Sequence, residues 1–334
     1  MNKFQTIISS RTDLDWCWFL RRQGASGEAV ERVMHDVGVL QPGGWANWQG
    51  STLTSTGALA TASFRSGDRG LRVTTEIADP GGNRHWHLER ARQIVERLAP
   101  GAIPDAYFAG ARQVQSGTNL RFGARLQLTA SGRKVMPALI AEWPANAQTA
   151  SLPDATLSKA LARLPFAARI VRVSYDAAEA APTVTLRATG RLADALPKLC
   201  AIADVPSGPL QQMIGELTAP GMQPGRDFGF GLTAGRTGLN PTLTLHLPAT
   251  DLSRNETALT QKLRGRLGGQ QGGYATLMDM HLTSSQPPIH HGAVSLTARS
   301  AGAPDISVAV AAPWACPLGP MTSFRTEAAI ADNF

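Results

Sequence analysis

The feature of this sequence that most constrains its fold is a unit that occurs five times: a strand, a short turn and a second strand. A helix-like stretch commonly follows the second strand. Recurrence at a spacing of roughly 50–60 residues is typical of a repeat architecture, in which each hairpin needs its apolar face covered by the following helix. The predicted turns are Ser66–Asp68, Ser131–Gly132, Asp176–Ala181, Gly235–Gly238 and Ser300–Ala303.

The fourth hairpin shows the alternation within a strand most clearly, in the stretch NPTLTLHLP from Asn240 to Pro248. Its leucines share one face and its polar residues, among them Thr244 and His246, share the other. We expect the leucines to face helices. If the sheet closes, the polar face lines a lumen; an open α+β sandwich with one solvated face is the alternative.

The expected organisation is one domain over residues 1–334, with an N-terminal helical segment at 1–50 and the barrel repeats at 57–313. Three helices have a start signal, because Ser26, Asp154 and Asn255 are suitable N-cap residues before helix-like stretches. Pro197 is expected to interrupt the helix that follows the third hairpin.

Composition argues against several classes of function. The net charge is +7, but the basic residues are spread along the chain, which argues against a nucleic-acid-binding stripe. The three cysteines are far apart, and this argues against a disulfide framework or a structural zinc and favours a reducing cytoplasm. Without a signal-like segment or a long apolar run, neither secretion nor a membrane span is predicted.

The hairpin pattern resembles the ABBA-type aromatic prenyltransferases, especially those acting on indoles, cyclic dipeptides and cyanobactin peptides. GALATASFRSGDRGLRVTTEIA is similar to the first hairpin of that family, and VSYDAAEAAPTVTLRATG, NPTLTLHLP and APDISVAVAAP are similar to later ones. The resemblance implies an α+β fold: a ten-stranded antiparallel barrel with helices outside and the active site within. Such enzymes transfer an allylic prenyl group from its diphosphate to an aromatic or peptide acceptor.

The sequence departs from this family at the positions that usually carry the chemistry. The family alternates Lys or Arg with Tyr on its second strands. The positions matched here are Thr244 and His246, Thr185 and Arg187, and Leu139 and Ala141. Tyrosine occurs only three times, and Thr61 stands near the place of the usual acid. These departures are compatible with a divergent donor site, with a different donor, or with a barrel that binds a small molecule or peptide without prenyl transfer.

Seven residues are candidates for the site. Arg72 stands at the position where the resemblance places the arginine that binds the diphosphate in that family. Glu76, on the same face, would orient the diphosphate or take a proton. Arg125 and Arg187 are further candidates for diphosphate contacts, and His246 would bond the leaving group or the acceptor. The remaining two are Thr185 and Thr244. Each has a structural alternative: a solvated cross-strand pair, a surface stripe or a structural hydrogen bond.

Neither a metal site nor a cofactor is predicted. The pairs His85/His87 and His290/His291 have no matching Cys or carboxylate cluster. The aspartate-rich magnesium motif of other prenyltransferases is absent. The resemblance implies a prenyl diphosphate as co-substrate, with Mg²⁺ assisting as an option.

Overall fold

The protein is a closed antiparallel β-barrel surrounded by helices, as the sequence predicts. The computed structural model describes residues 16–38, 53, 60–68, 70–77, 84–144, 152, 154–224, 227–235, 240–268, 271–282 and 291–311. The strands are β1 (Ala60–Arg65), β2 (Leu71–Glu76), β3 (Ala124–Ser131), β4 (Lys134–Glu142), β5 (Ala168–Asp176), β6 (Ala181–Thr189), β7 (Asp227–Thr233), β8 (Thr242–Pro248), β9 (His291–Thr297) and β10 (Asp305–Ala311). Consecutive strands pair, and β1 closes the barrel on β10.

Helices cover the outside of this barrel. They span Ala25–Asp36, Arg84–Leu98, Asp105–Gln115, Ala155–Ala162, Leu192–Ala203, Gly208–Leu217, Ala249–Leu252, Glu256–Leu267 and Gln271–Leu282. The helices Ala25–Asp36 and Arg84–Leu98 both pack on β3 and β4, and Leu192–Ala203 packs on β8. None of the helices in the described ranges is both long and apolar enough to cross a bilayer.

The hydrophobic core lies between the barrel and the helices. Leu243, Leu245 and Leu247 of β8 are at most 1% exposed and belong to this core. On β7, Phe228 and Phe230 stack with each other at 6.1 Å between ring centroids. The leucines of β8 therefore face the helices and its threonines and histidine face the lumen, which confirms the prediction made from the β8 alternation.

Two of the three predicted helix caps agree with the sequence, but the cap predicted at Ser26 is wrong, because helix Ala25–Asp36 already begins before it and has Gly24 as its N-cap. Four of the five predicted turns fall between the paired strands of a hairpin, whereas residues 236–238 of the predicted turn between β7 and β8 lie outside the described residues. Asp154 accepts a hydrogen bond from the backbone N–H of Leu157, and Asn255 accepts one from Ala258. These side chains satisfy N–H groups that the first helical turn leaves unbonded.

The expected interruption at Pro197 is wrong. Helix Leu192–Ala203 runs through the proline without a break. Proline removes one backbone donor, but buried Leu196, Leu199 and Cys200 hold the helix on the barrel. Tertiary packing thus outweighs the local cost of the proline.

Candidate active site inside the barrel

The inner face of the barrel is lined by polar side chains, small side chains and arginines. Hydroxyl groups pair across strands, with Thr183 and Thr233 joined at 2.8 Å and Thr244 and Thr297 at 3.1 Å. Strand parity and register put several charged or imidazole residues on this face, among them Arg72, Glu76, Arg125, Arg172, Arg187 and His246.

A buried ion pair joins β2 and β3 inside the barrel. Glu76 is directly opposite Arg125 in register. Arg125 Nη2 donates to Glu76 Oε1 at 2.9 Å, and each side chain is only 1% exposed. The guanidinium also lies over the ring of Phe122, at 4.0 Å from its centroid. The pair holds both a cation and a carboxylate in fixed positions away from bulk water.

Arg172 of β5 is a lumenal cation that the sequence analysis did not identify. It lies opposite Thr185, which is 3% exposed. Burial, followed by repulsion from Arg125, lowers the pKa of Arg172 to about 9. Within the described part of the chain, no carboxylate forms an ion pair with Arg172. A partly dehydrated guanidinium of this kind is stabilised by an anionic ligand.

His246 is neutral at physiological pH. Burial, followed by repulsion from Arg172, lowers its pKa to about 3. Its Nδ1 is hydrogen-bonded to Ser295 Oγ at 2.8 Å. Its Nε2 lies over Gly231 of β7, close enough that a Cβ added there would be 3.2 Å away. The glycine therefore leaves room for the imidazole at this point of the wall.

Further arginines are grouped at the end of the barrel where β4 ends and β5 begins. Burial, followed by repulsion from Arg187 and then Arg121, lowers the pKa of Arg169. A cleft of about 460 Å³ is lined by Arg121, Arg169, Arg172 and Trp143, among others. The cations at this end favour the approach of an anionic group.

The carboxylate of Glu142 organises one wall of this cleft. It accepts hydrogen bonds from the backbone N–H groups of Arg121, Phe122 and Gly123 at 2.7–2.9 Å. These bonds anchor the loop that leads into β3. Glu142 thus has a positioning role in the fold.

Arg72 is near the hairpin turns, at the other end of the barrel from the arginine group. It pairs with Ser63 and Thr129 in register and forms an ion pair with Asp68 at 3.4 Å. Four residues of extended strand, about 13 Å, separate its Cα from that of Glu76. The structure therefore places Arg72 and Arg125 on the same lumenal face, but at different levels along the barrel axis.

The register expected for the second hairpin is wrong. Leu139 and Ala141 are fully buried against the helices, and the lumenal positions of β4 are Met136, Ala138 and Ile140. These pair with the lumenal positions of β3, so β4 adds an apolar patch to the chamber. Thr61, which stands near the usual place of an acid, pairs with Thr74 on the lumenal face.

The tyrosines, and the tryptophans Trp86 and Trp143, lie outside the lumen, so none of them is placed to shield a carbocation. All three tyrosines of the chain are described, and the side chains of all three face away from the lumen: Tyr107, Tyr175 and Tyr274. Tyr107 bonds the carbonyl oxygens of two strands, and Tyr274 bonds a histidine. Trp143 is buried in the outer core and Trp86 is exposed on a helix, whereas Trp314 lies outside the described residues.

A β-bulge explains why Arg172 was missed. Ile170 pairs with the outward Leu186, whereas Arg172 pairs with the lumenal Thr185, so the register shifts between them. Strict alternation would give Ile170 and Arg172 the same face. A bulge reverses that parity and leaves no clear signal in a single sequence.

Comparisons with known proteins show the fold. Neither the protein-family models nor the curated proteins include a match to this sequence. Among solved structures, 5-dimethylallyltryptophan synthase from Streptomyces coelicolor aligns with a TM-score of 0.70 at 15% identity, covering 91% of this chain and 97% of that one. The apo form of the prenyltransferase PriB aligns at 0.68, with 16% identity over 91% and 96% of the two chains. AnaPT from Neosartorya fischeri aligns at 0.63, with 12% identity over 89% and 91%. The fold is that of the ABBA-type aromatic prenyltransferases, in a divergent sequence.

Proposed function

We propose that this protein transfers an allylic prenyl group from its diphosphate to an electron-rich aromatic acceptor, free or within a peptide, inside the barrel. The observation that supports this proposal most strongly is the position of Arg172. It is a lumenal cation with no carboxylate partner among the described residues, and it lies beside the buried Glu76–Arg125 pair. Structures of this fold include a ternary complex of PriB with L-tryptophan and dimethylallyl thiolodiphosphate. That ligand pair supports a diphosphate donor and an aromatic acceptor for the same chamber here.

The arginines supply what departure of the diphosphate requires. As the allylic C–O bond breaks, its electron pair leaves with the diphosphate, and fixed cations stabilise the negative charge that develops on oxygen. Arg172, Arg125 and Arg187 would perform this role near the cleft, and Arg72 would contact the donor from the turn end. Thr185 and Thr244 would add hydroxyl donors.

Glu76 and His246 are the proposed proton acceptors. After the allylic cation attacks the ring, the cationic adduct must lose a ring proton to restore aromaticity. That adduct is a strong acid, so a carboxylate or a neutral imidazole of low pKa accepts its proton readily. His246 has a pKa of about 3 and is therefore in the neutral, accepting form at pH 7.

The prenyl chain would lie along the less polar part of the wall. β4 contributes Met136, Ala138 and Ile140, and β7 contributes Gly229 and Gly231. A strand glycine often marks a place where another group approaches the backbone closely. This wall would shield the carbocation by excluding water.

A second candidate function is a barrel that binds a small molecule or peptide without prenyl transfer. The location of all three tyrosines outside the lumen favours it, because aromatic faces that would stabilise an allylic cation are thereby lost. Both candidate functions predict that the chamber binds the same ligands, but only the first predicts that a prenylated product forms.

One experiment distinguishes the two. The full chain is incubated with dimethylallyl or geranyl diphosphate and a panel of tryptophan, indoles, phenols and aromatic peptides, and products are identified by mass. Arg172→Met should abolish product formation and weaken binding of inorganic diphosphate. Calorimetric binding without any product would support the second candidate, and no binding of diphosphate would contradict the first. Assays with EDTA and with added Mg²⁺ test whether a metal ion assists the transfer. Assistance by Mg²⁺ and a cytoplasmic location of the protein stay predictions.

A further inference from the structure

A cluster of three side chains with ligand-type atoms lies on the outside of the barrel, away from the chamber. Its members are Cys17, in a helical segment at residues 16–22, and Glu31 and His35, on the helix Ala25–Asp36. The ligand atoms of the three side chains all lie within 4.8 Å of one another. Glu31 and His35 are four residues apart, so they project from the same helical face.

The tight connection between the helical segment at residues 16–22 and the helix Ala25–Asp36 fixes this arrangement. Trp16, Phe19 and Leu20 are fully buried, which holds the first piece on the core and leaves Cys17 beside the second piece. Gly24 has a φ of 62°, and a Cβ added at Gly27 would lie 1.6 Å from the carbonyl oxygen of Leu20. The backbones approach so closely that only glycine fits at position 27, and the ligand residues are held on either side of a rigid corner.

The three ligand types favour a divalent cation of intermediate hardness. We infer that Cys17 Sγ, one Glu31 carboxylate oxygen and a His35 ring nitrogen bind Zn²⁺ or a similar ion. Tetrahedral bonds of about 2.0–2.3 Å put ligand atoms roughly 3.3–3.8 Å apart, which small rotamer adjustments reach from the observed spacing. A single oxygen ligand is too few for Ca²⁺ or Mg²⁺, whereas thiolate and imidazole suit Zn²⁺.

A metal held by these three side chains would keep a fourth position for water. A cleft of about 520 Å³ lies beside the cluster and is lined by Glu28, Glu31, Arg32, His35 and Arg133. Binding breaks the S–H bond of Cys17, forms a metal–sulfur bond and releases one proton to solvent, so affinity should rise with pH. Cysteine spacing does not indicate this site, because the ligands come from two helices and form no sequence motif.

Arg21 competes with the metal. Its Nη2 lies 3.4 Å from Glu31 Oε1, but its side chain is 70% exposed and is able to turn into solvent. Its charge should nevertheless weaken cation binding. Arg21→Met is therefore expected to tighten Zn²⁺ binding several-fold, an effect that a purely structural role for Glu31 does not produce.

The test uses the full chain after treatment with a chelator. Equilibrium dialysis with Zn²⁺ should give one bound ion per chain, and Co²⁺ should give a thiolate-to-metal charge-transfer band. Cys17→Ser should abolish that band, and His35→Ala, at an exposed position, should weaken binding at least tenfold. Added Zn²⁺ should raise the thermal unfolding midpoint of the parent chain but not of His35→Ala. Matched controls are His85→Ala, another exposed helical histidine, and Cys316→Ser; both should bind like the parent.

Binding that is absent at micromolar Zn²⁺, or that is unchanged in His35→Ala and Cys17→Ser, would overturn the proposal. Circular dichroism establishes that each variant is folded. If Cys17→Ser fails to fold, His35→Ala with the Co²⁺ spectrum decides the outcome alone. Prenyl transfer is not the readout, so this result is independent of the proposed function.

Discussion

Removing the carboxylate of Glu76 should destabilise the protein strongly. Glu76 and Arg125 are each 1% exposed and bonded at 2.9 Å. Glu76→Gln keeps the shape but leaves the Arg125 charge without its counterion inside the barrel. Breaking a buried ion pair in this way costs about 3–5 kcal/mol, most of it the penalty of an uncompensated buried charge. Chemical unfolding followed by circular dichroism measures the change.

Replacing both partners should reverse most of this loss. Glu76→Leu combined with Arg125→Met removes both charges, and apolar residues of similar volume often replace a buried pair without net cost. The exposed pair Glu89–Arg112 provides the control, with side chains 42% and 65% exposed; Glu89→Gln should cost below about 1 kcal/mol. A Glu76→Gln loss no larger than that of the control, or a double variant less stable than Glu76→Gln, would refute the reasoning.

Three further predictions concern the chamber. Arg72→Ala should lower turnover with an allylic diphosphate by about 10²-fold, the scale of a positioned charge donor, and unchanged kinetics would remove Arg72 from the mechanism. The pKa of His246 is about 3 in the folded protein and about 6.5 in the unfolded chain. The unfolded state therefore binds more protons between these two pH values, so the stability of the protein falls as the pH decreases through this window. His246→Gln should flatten that part of a thermal unfolding profile, and an unchanged profile would contradict the low pKa. Gly231→Ala would put a Cβ 3.2 Å from His246 Nε2 and should reduce kcat/KM about tenfold, whereas Gly215→Ala, with nothing within 4 Å, should leave it unchanged. Equal kinetics of the two glycine variants would remove Gly231 from the site.

The sequence alone determined the order of the hairpins and the two faces of the strands, because these signals are local. Leu243 and Leu245 alternate with Thr244 and His246, and this period of two is enough to assign an apolar and a polar face to β8. Turn residues marked all five hairpins, and Asp154 marked a helix start. Such features depend on neighbours in the chain, and a single sequence contains them.

Only the tertiary structure decided the chemistry of the chamber. Closure of β1 on β10 turned the polar face into a lumen, and a bulge in β5 brought Arg172 into it. The low pKa of His246 depends on burial and on Arg172, which lies in another repeat. Charge states and ion pairs arise from distances between residues far apart in the chain, and periodicity carries no information about those distances.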